Sequence, residues 1–254
     1  MERWENRVAV VTGAGTGIGA AIAVDLVKAG LVVVALGRRE TKLQKNREAL
    51  STDLQSKYHP IQCDVTNEED VKKAFAWVDE VLGGTDILVN SEGLLHYGEN
   101  LVDPGNTDVI SQTLDANVTA VVFSVREAFN SMKRRNFDGH VIIMNSIAGH
   151  TTERIPGANM YIPSKHIVTA MAQTYRYEFA HAGTKVKITS ISPGAVSTEA
   201  LPEGFLITTG IPYLTPYDVS NAVLYAIATP PNIQIFELTI EPVGASVRHL
   251  ELNN

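Results

Sequence analysis

Short β-branched apolar runs alternate along the chain with longer stretches of helical spacing. The runs cover residues 8–11, 31–36, 87–89, 141–144 and 186–191, with a weaker one at 58–63 and a further one at 233–240. Between them, residues 18–29 set Ile22 and Leu26 on one side. Residues 68–82 repeat Val71, Phe75, Val78 and Leu82 at three- and four-residue steps. Asn67 stands where an N-cap belongs, with Asp70 three positions on. Long helical stretches are expected over residues 107–135 and 160–182. Near-continuous apolar strands interleaved with amphipathic helices predict an α/β fold whose parallel sheet is covered on both faces. Seven such strands fit one doubly wound sheet in a single domain spanning residues 1–254. Residues 195–215 break the alternation. They are rich in Gly, Pro and Thr and carry Leu201, Phe205, Leu206, Ile207, Ile211 and Leu214. A binding loop and ordinary core packing both suit such a segment.

The first strand runs into Thr12-Gly13-Ala14-Gly15-Thr16-Gly17-Ile18-Gly19, which opens the first helix. Glycines let the backbone turn tightly and approach a ligand without Cβ clashes. A helix N-terminus offers free N–H groups and partial positive charge to a pyrophosphate. Between strand and helix, at the head of an alternating α/β chain, this pattern points to a dinucleotide rather than to a bare turn. The second strand ends in Gly37-Arg38-Arg39, with no carboxylate to take a ribose hydroxyl. Two guanidinium groups there favour a 2′-phosphate, hence NADP(H). The plainer reading is a solvated basic start to the next helix, with Glu40 pairing to either Arg.

Tyr161-Ile162-Pro163-Ser164-Lys165 begins a long helical stretch, and residues four apart share one helix face. A cation beside a phenol favours phenolate and lowers its pKa, which suits proton transfer near neutral pH. Ser146 follows the fifth strand, where open α/β sheets bind ligands, and its hydroxyl is placed to hold a substrate oxygen.

With these motifs in this order, the chain resembles the short-chain dehydrogenases/reductases over essentially its whole length. The glycine turn, Asp64-Val65 after the third strand, Asn117 in a helix, Ser146, Tyr161, Lys165, and Pro193-Gly194 with Thr198 downstream match that family. The resemblance implies a single-domain Rossmann fold. It implies that Tyr161 is the acid/base, that Lys165 binds the nicotinamide ribose, that Ser146 orients the substrate oxygen, and that Asn117 holds a water leading to Lys165. It implies a cofactor site made of Gly13, Gly15, Thr16, Gly17, Ile18, Gly19, Arg38, Arg39, Asp64, Val65, Asn90, Gly93, Tyr161, Lys165, Pro193, Gly194, Val196 and Thr198. Ser146, Tyr161, Leu201 and Phe205 would meet the substrate. Met1-Glu2-Arg3-Trp4, Ser131-Met132-Lys133, Gly149-His150 and Pro231-Asn232-Ile233-Gln234-Ile235 are similar to the farnesol dehydrogenase-like branch in insects and its vertebrate relative. That likeness implies oxidation of farnesol or a similar isoprenoid alcohol, in juvenile hormone synthesis. Steroids, retinoids and small carbonyls are the other substrates it allows. A homodimer or homotetramer paired through the long helices is a further expectation.

Two departures stand out. Where the family has Asn-Asn-Ala-Gly, this chain has Asn90-Ser91-Glu92-Gly93. Two unit charges 4 Å apart repel by about 1 kcal/mol in water and about 4 at an effective dielectric of 20. Glu92 would therefore weaken an anionic cofactor unless it faces outward or meets a cation. Pro163 would kink a helix that began well before Tyr161. These departures keep open a second class of function, a cofactor-binding carrier with weak or lost catalysis.

Composition narrows the field further. Lys and Arg number 21 against 28 Asp and Glu, a formal net charge of −7, which argues against nucleic acid as the partner. The single cysteine, Cys63, allows no internal disulfide and reads as a small core residue. No apolar run approaches the roughly 20 residues of a membrane span, and residues 1–7 lack the pattern of a secretory signal, so a cytoplasmic protein is expected. The His residues show no metal-ligand spacing, so no metal is expected. No Gly-x-Ser-x-Gly elbow points to a hydrolase.

Overall fold

The computed structural model describes residues 1–151, 157–199 and 208–245. Its seven strands are β1 (Val8–Val11), β2 (Val32–Gly37), β3 (Tyr58–Gln62), β4 (Ile87–Asn90), β5 (His140–Met144), β6 (Lys187–Pro193) and β7 (Glu237–Ile240). All pair in parallel, in the order β3-β2-β1-β4-β5-β6-β7. The helices are α1 (Gly17–Lys28), α2 (Glu40–Glu48), α3 (Glu68–Leu82), α4 (Thr107–Leu114), α5 (Ala120–Arg134), α6 (Tyr161–His181) and α7 (Pro216–Ala228).

Successive strand residues face opposite sides, so each continuous apolar strand feeds two cores. Ala9 and Val11 join Ile22, Leu26, Val223 and Ile227 under α1 and α7. Val8 and Val10 join Phe75, Val78, Val125 and Val168 under α3, α5 and α6. Trp4, fully buried, donates its indole N–H to Ile227 O at 2.7 Å and so fastens the start of the chain to α7. The chain reverses direction of winding between β1 and β4. The carboxyl ends of these two central strands therefore open the crevice where α/β sheets bind ligands.

Local chemistry sets the boundaries. The Asn67 side chain accepts from Glu69 N and Asp70 N, the expected cap of α3. Thr215 and Asp218 form a reciprocal capping box at α7, with Pro216 at the first helical position. The helical stretch over 107–135 is interrupted by a π turn at Asp115–Thr119, a feature frequent at functional sites. The last strand is shorter than the apolar run 233–240: it starts at Glu237, because Ile233 closes a turn onto Pro230 O and its own carbonyl is taken by the Lys187 ammonium. Because α6 begins at Tyr161, Pro163 falls in its first turn, where a missing N–H costs no helical bond, and the kink considered from sequence does not arise.

Candidate active site

The glycine turn is held from three sides. Gly13 and Gly17 sit at φ 63° and 58°, the left-handed region that Gly enters without penalty. A Cβ on Gly19 would stand 2.4 Å from Gly13 O, so α1 can close on the turn only with glycine there. The buried Thr12 hydroxyl accepts from Ser91 N at 3.1 Å and Glu92 N at 3.3 Å, tying the end of β1 to the segment after β4. Asn46 donates to Ala14 O and Gly15 O from α2. Thr16 is the N-cap of α1 with no side-chain cap bond, and the first turn holds no acidic residue. This leaves the helix start an anion-ready end. Thr198 lies over Gly17, its Cγ2 3.3 Å from where a Cβ would be.

At the far end of the crevice stand the basic residues. Arg39 donates to Thr16 Oγ1 at 3.1 Å and to Glu199 at 3.3 Å, and Lys42 reaches the same carboxylate at 3.4 Å. Glu40 is thus not the partner that adjacency suggested. Glu199 takes that role, and it lies 160 residues away in sequence. Arg38 makes no ion pair among the described residues. Beside it a groove of about 800 Å³ is lined by Ile61, Asp64, Lys73 and Trp77. Asp64 is fixed by accepting from Thr66 N and Oγ1 at 3.0 and 2.7 Å. Glu92 points inward: its Oε2 is 3.1 Å from the position of a Cβ on Gly13. Burial raises its carboxyl pKa, against the opposing pull of Arg38 and Arg39.

Ser146, Tyr161 and Lys165 come together above the carboxyl ends of β4 and β5. Ser146 caps a 3-10 turn by accepting from Ala148 N at 3.1 Å. Its hydroxyl lies near the Tyr161 phenol, close enough to favour the phenolate. Lys165, one helical turn on, is buried and donates to Met144 O at 3.0 Å, with its Nζ 5.7 Å from the Tyr161 ring centre. Spacing alone suggested a phenol lowered by the ammonium. In the free protein burial dominates: it pushes Tyr161 up, the nearby Ser146 hydroxyl offsets only part of this, and burial takes the Lys165 ammonium down to about 8. A neighbouring cation lowers a phenol only when it outweighs the lost hydration of the phenolate.

Asn117 lies in the π turn. Its Nδ2 donates to Leu94 O and Ser164 Oγ, both at 3.0 Å, and its Oδ1 accepts from Leu94 N at 2.7 Å. Both side-chain donors are therefore committed. Any water leading to Lys165 must use the second lone pair of Oδ1 or the main-chain carbonyl.

The donor set fits a dinucleotide. Asn90, buried at the end of β4, has no partner for either amide atom, which leaves unmet polar capacity beside the crevice. Gly93 borders Lys165, whose Nζ is 3.8 Å from a Cβ position there. Gly194 is fixed by donating to Ile240 O, which sets Pro193-Gly194 at the rim. Val65 and Val196 are core side chains, and Ile18 packs against the core. Val65 and Val196 therefore offer a ligand their backbone, while the partly buried Ile18 side chain still reaches the surface. Leu201 and Phe205 lie outside the described residues. The ends of their loop are paired, Leu214 N to Ala195 O at 2.8 Å and Ser197 N to Leu214 O at 2.9 Å. Sequence reasoning missed Thr12, Leu94 and Glu199. Only Thr12, at the head of the glycine stretch, carried a signal.

A family model described as short chain dehydrogenase matches residues 7–204, and the chain belongs to that family. It is 46 % identical over 244 residues to a farnesol dehydrogenase of Aedes aegypti, covering 96 % of this chain and 99 % of that one. It is 38 % identical over 252 residues to dehydrogenase/reductase SDR family member 11 of Gallus gallus, covering 95 % and 98 %. Among solved structures, the closed form of serine dehydrogenase complexed with NADP+ superposes with a TM-score of 0.81 at 29 % identity, covering 92 % and 94 %. An alcohol dehydrogenase from Thermococcus sibiricus complexed with 5-hydroxy-NADP gives 0.78 at 25 %, covering 93 % and 97 %. The chain is a short-chain oxidoreductase, and among the described residues no helix is long and apolar enough to cross a membrane.

Proposed function

We propose that the protein is an NADP(H)-dependent alcohol dehydrogenase/reductase of apolar substrates, with farnesol to farnesal as its reaction. The clustering of Tyr161 with Ser146 beside its phenol and the buried Lys165 ammonium 5.7 Å from its ring centre carries the reading. The Aedes relative's name supports the substrate, and the arginines at the end of β2 support the 2′-phosphate.

NADP+, when bound, supplies the hydride acceptor. The glycine turn with Gly15, Thr16 and Gly17 would hold its pyrophosphate. Arg38 and Arg39 would hold the 2′-phosphate, and Asp64 and Asn90 the adenosine side. Ser146 orients the alcohol oxygen. Tyr161 takes the hydroxyl proton as the carbon gives up hydride, so alcohol becomes carbonyl, and the reverse reaction uses Tyr161 as acid. Lys165 binds the nicotinamide ribose, and its charge beside the phenol stabilises the phenolate that forms. A soluble homodimer or homotetramer in the cytoplasm completes the proposal.

Glu92 on the glycine turn favours a second reading, a cofactor-binding carrier without turnover. One experiment separates the two. NADPH binding is followed by fluorescence, and turnover is then measured with farnesol and a panel of other alcohols, steroids, retinoids and small carbonyls. We expect farnesol oxidation that falls at least a hundredfold in Tyr161→Phe, with the NADPH Kd within about twofold. Tight binding with no turnover on any substrate would establish the carrier instead.

A further inference from the structure

The carboxylate of Glu92 rests beside the glycine turn, where an anionic cofactor would seat. Its own N–H is pinned to Thr12 Oγ1 at 3.3 Å, and its Oε2 lies against Gly13. Several charged or titratable groups face it. Arg38 and Arg39 come from the end of β2, and Asp64 and Cys63 from beyond β3. Asp70 of α3 stands behind Cys63, and Lys165 lies across Gly93. The glycine turn itself contributes backbone only. The arginines favour a charged Glu92, but Arg39 is already shared with Glu199. Asp64 opposes the charge, and the Cys63 thiol, pushed up to about 12, stays neutral. Burial outweighs the arginines, so the carboxyl holds a proton more readily than an exposed one.

We propose that Glu92 makes dinucleotide binding proton-linked: the carboxylate takes up one proton from solvent as the anionic cofactor seats on the glycine turn. This rests on the NADP(H) reading above. The neutral carboxyl then meets the cofactor as a hydrogen-bond donor rather than as a like charge. Arg38, no longer needed to compensate Glu92, is free for the 2′-phosphate. The departure at Asn90-Ser91-Glu92-Gly93 thereby becomes a pH-dependent determinant of cofactor affinity.

Linkage fixes the sign. Below the pKa of Glu92 in the free protein, binding takes up no proton and affinity is highest. Above it, affinity falls by up to tenfold per pH unit until the pKa of the bound form is passed. The test is calorimetry of NADPH and NADH binding between pH 5 and 8, in buffers of different ionisation enthalpy, with wild type, Glu92→Gln and Glu92→Ala. Both nucleotides are needed because a phosphate monoester also ionises near pH 6. The Glu92 proton appears with both nucleotides, the phosphate proton with NADPH only.

For the wild type the expected result is net uptake approaching one proton with NADH. Glu92→Gln is expected to bind at least fivefold tighter at pH 7, with no such uptake. Equal proton uptake in wild type and Glu92→Gln overturns the proposal. If NADH and NADPH bind equally to all forms while uptake still depends on Glu92, the 2′-phosphate assignment fails and the proton linkage stands. If no form binds either nucleotide, both are overturned.

Discussion

Asn117 holds Leu94 by both of its backbone groups, accepting its N–H at 2.7 Å and donating to its C=O at 3.0 Å. The segment after β4 is thus fastened twice, by Asn117 at Leu94 and by Thr12 at Ser91 and Glu92. Cutting Asn117 back to Ala leaves two half-buried backbone groups without partners, at a cost of about 1–3 kcal/mol. Thermal unfolding should then fall by several degrees. Turnover should fall in step, because the same segment borders Lys165. A variant with unchanged Tm and full activity would show that the clasp is dispensable.

Glu199 occupies Arg39, one of the two cations proposed for the 2′-phosphate, together with Lys42. Both pairs are solvent-exposed and screened by water, so they hold Arg39 only weakly against a competing phosphate. Glu199→Gln is expected to tighten NADPH by two- to fivefold and to leave NADH unchanged, whereas Arg39→Ala weakens NADPH alone. Equilibrium titration of both nucleotides reads the difference. An equal shift for the two would mean that Arg39 does not meet the phosphate.

Gly19→Ala should abolish tight nucleotide binding. Its Cβ would stand 2.4 Å from Gly13 O and 2.7 Å from Gly13 C, both rigid backbone. Relief requires moving α1 away from the turn. Loss of at least tenfold in NADPH affinity, with circular dichroism unchanged, is the expected outcome.

His140 is buried in β5, bonded to Thr189 Oγ1 at 2.8 Å, and burial holds its pKa down to about 3. The unfolded chain takes up that proton near pH 6.5. Stability contributed by the neutral ring is therefore complete above pH 6.5 and is lost as pH falls toward about 3, by about 1.4 kcal/mol per unit. Between pH 6.5 and 5 the wild type should lose about 2 kcal/mol more than His140→Gln, measured by urea unfolding. Parallel losses would assign the acid sensitivity elsewhere.

The sheet was legible because its strands are buried on both faces and cannot hide their apolar runs among polar positions. The 233–240 run misled at its first half, where Ile233 and Ile235 are apolar yet pay out their carbonyls to Lys187 and Thr189 rather than to a neighbouring strand. Ser146, Tyr161 and Lys165 were legible from order and spacing. The direction of the Tyr161 shift was not, because spacing reports a neighbouring charge and says nothing of how much water is excluded. Glu92 announced itself as a departure, but only the Thr12 and Gly13 contacts show which way it points. Glu199 had no local signal at all, since its partners are brought to it by the fold.

The chain's first strand lies inside the sheet, between β2 and β4. Val10 of β1 needs Val34 on one side and Leu88 on the other, and Trp4 is not buried until Ile227 arrives. On the ribosome, then, the glycine turn emerges early but stays unbraced, because Thr12 finds its partners only after residue 91 has been made. The amino end cannot lock until α7 follows. A nascent chain cut just before Ile227 would retain every proposed catalytic residue and still lack the indole anchor. Synthesis is then expected to yield a protease-sensitive chain until its final segment is released.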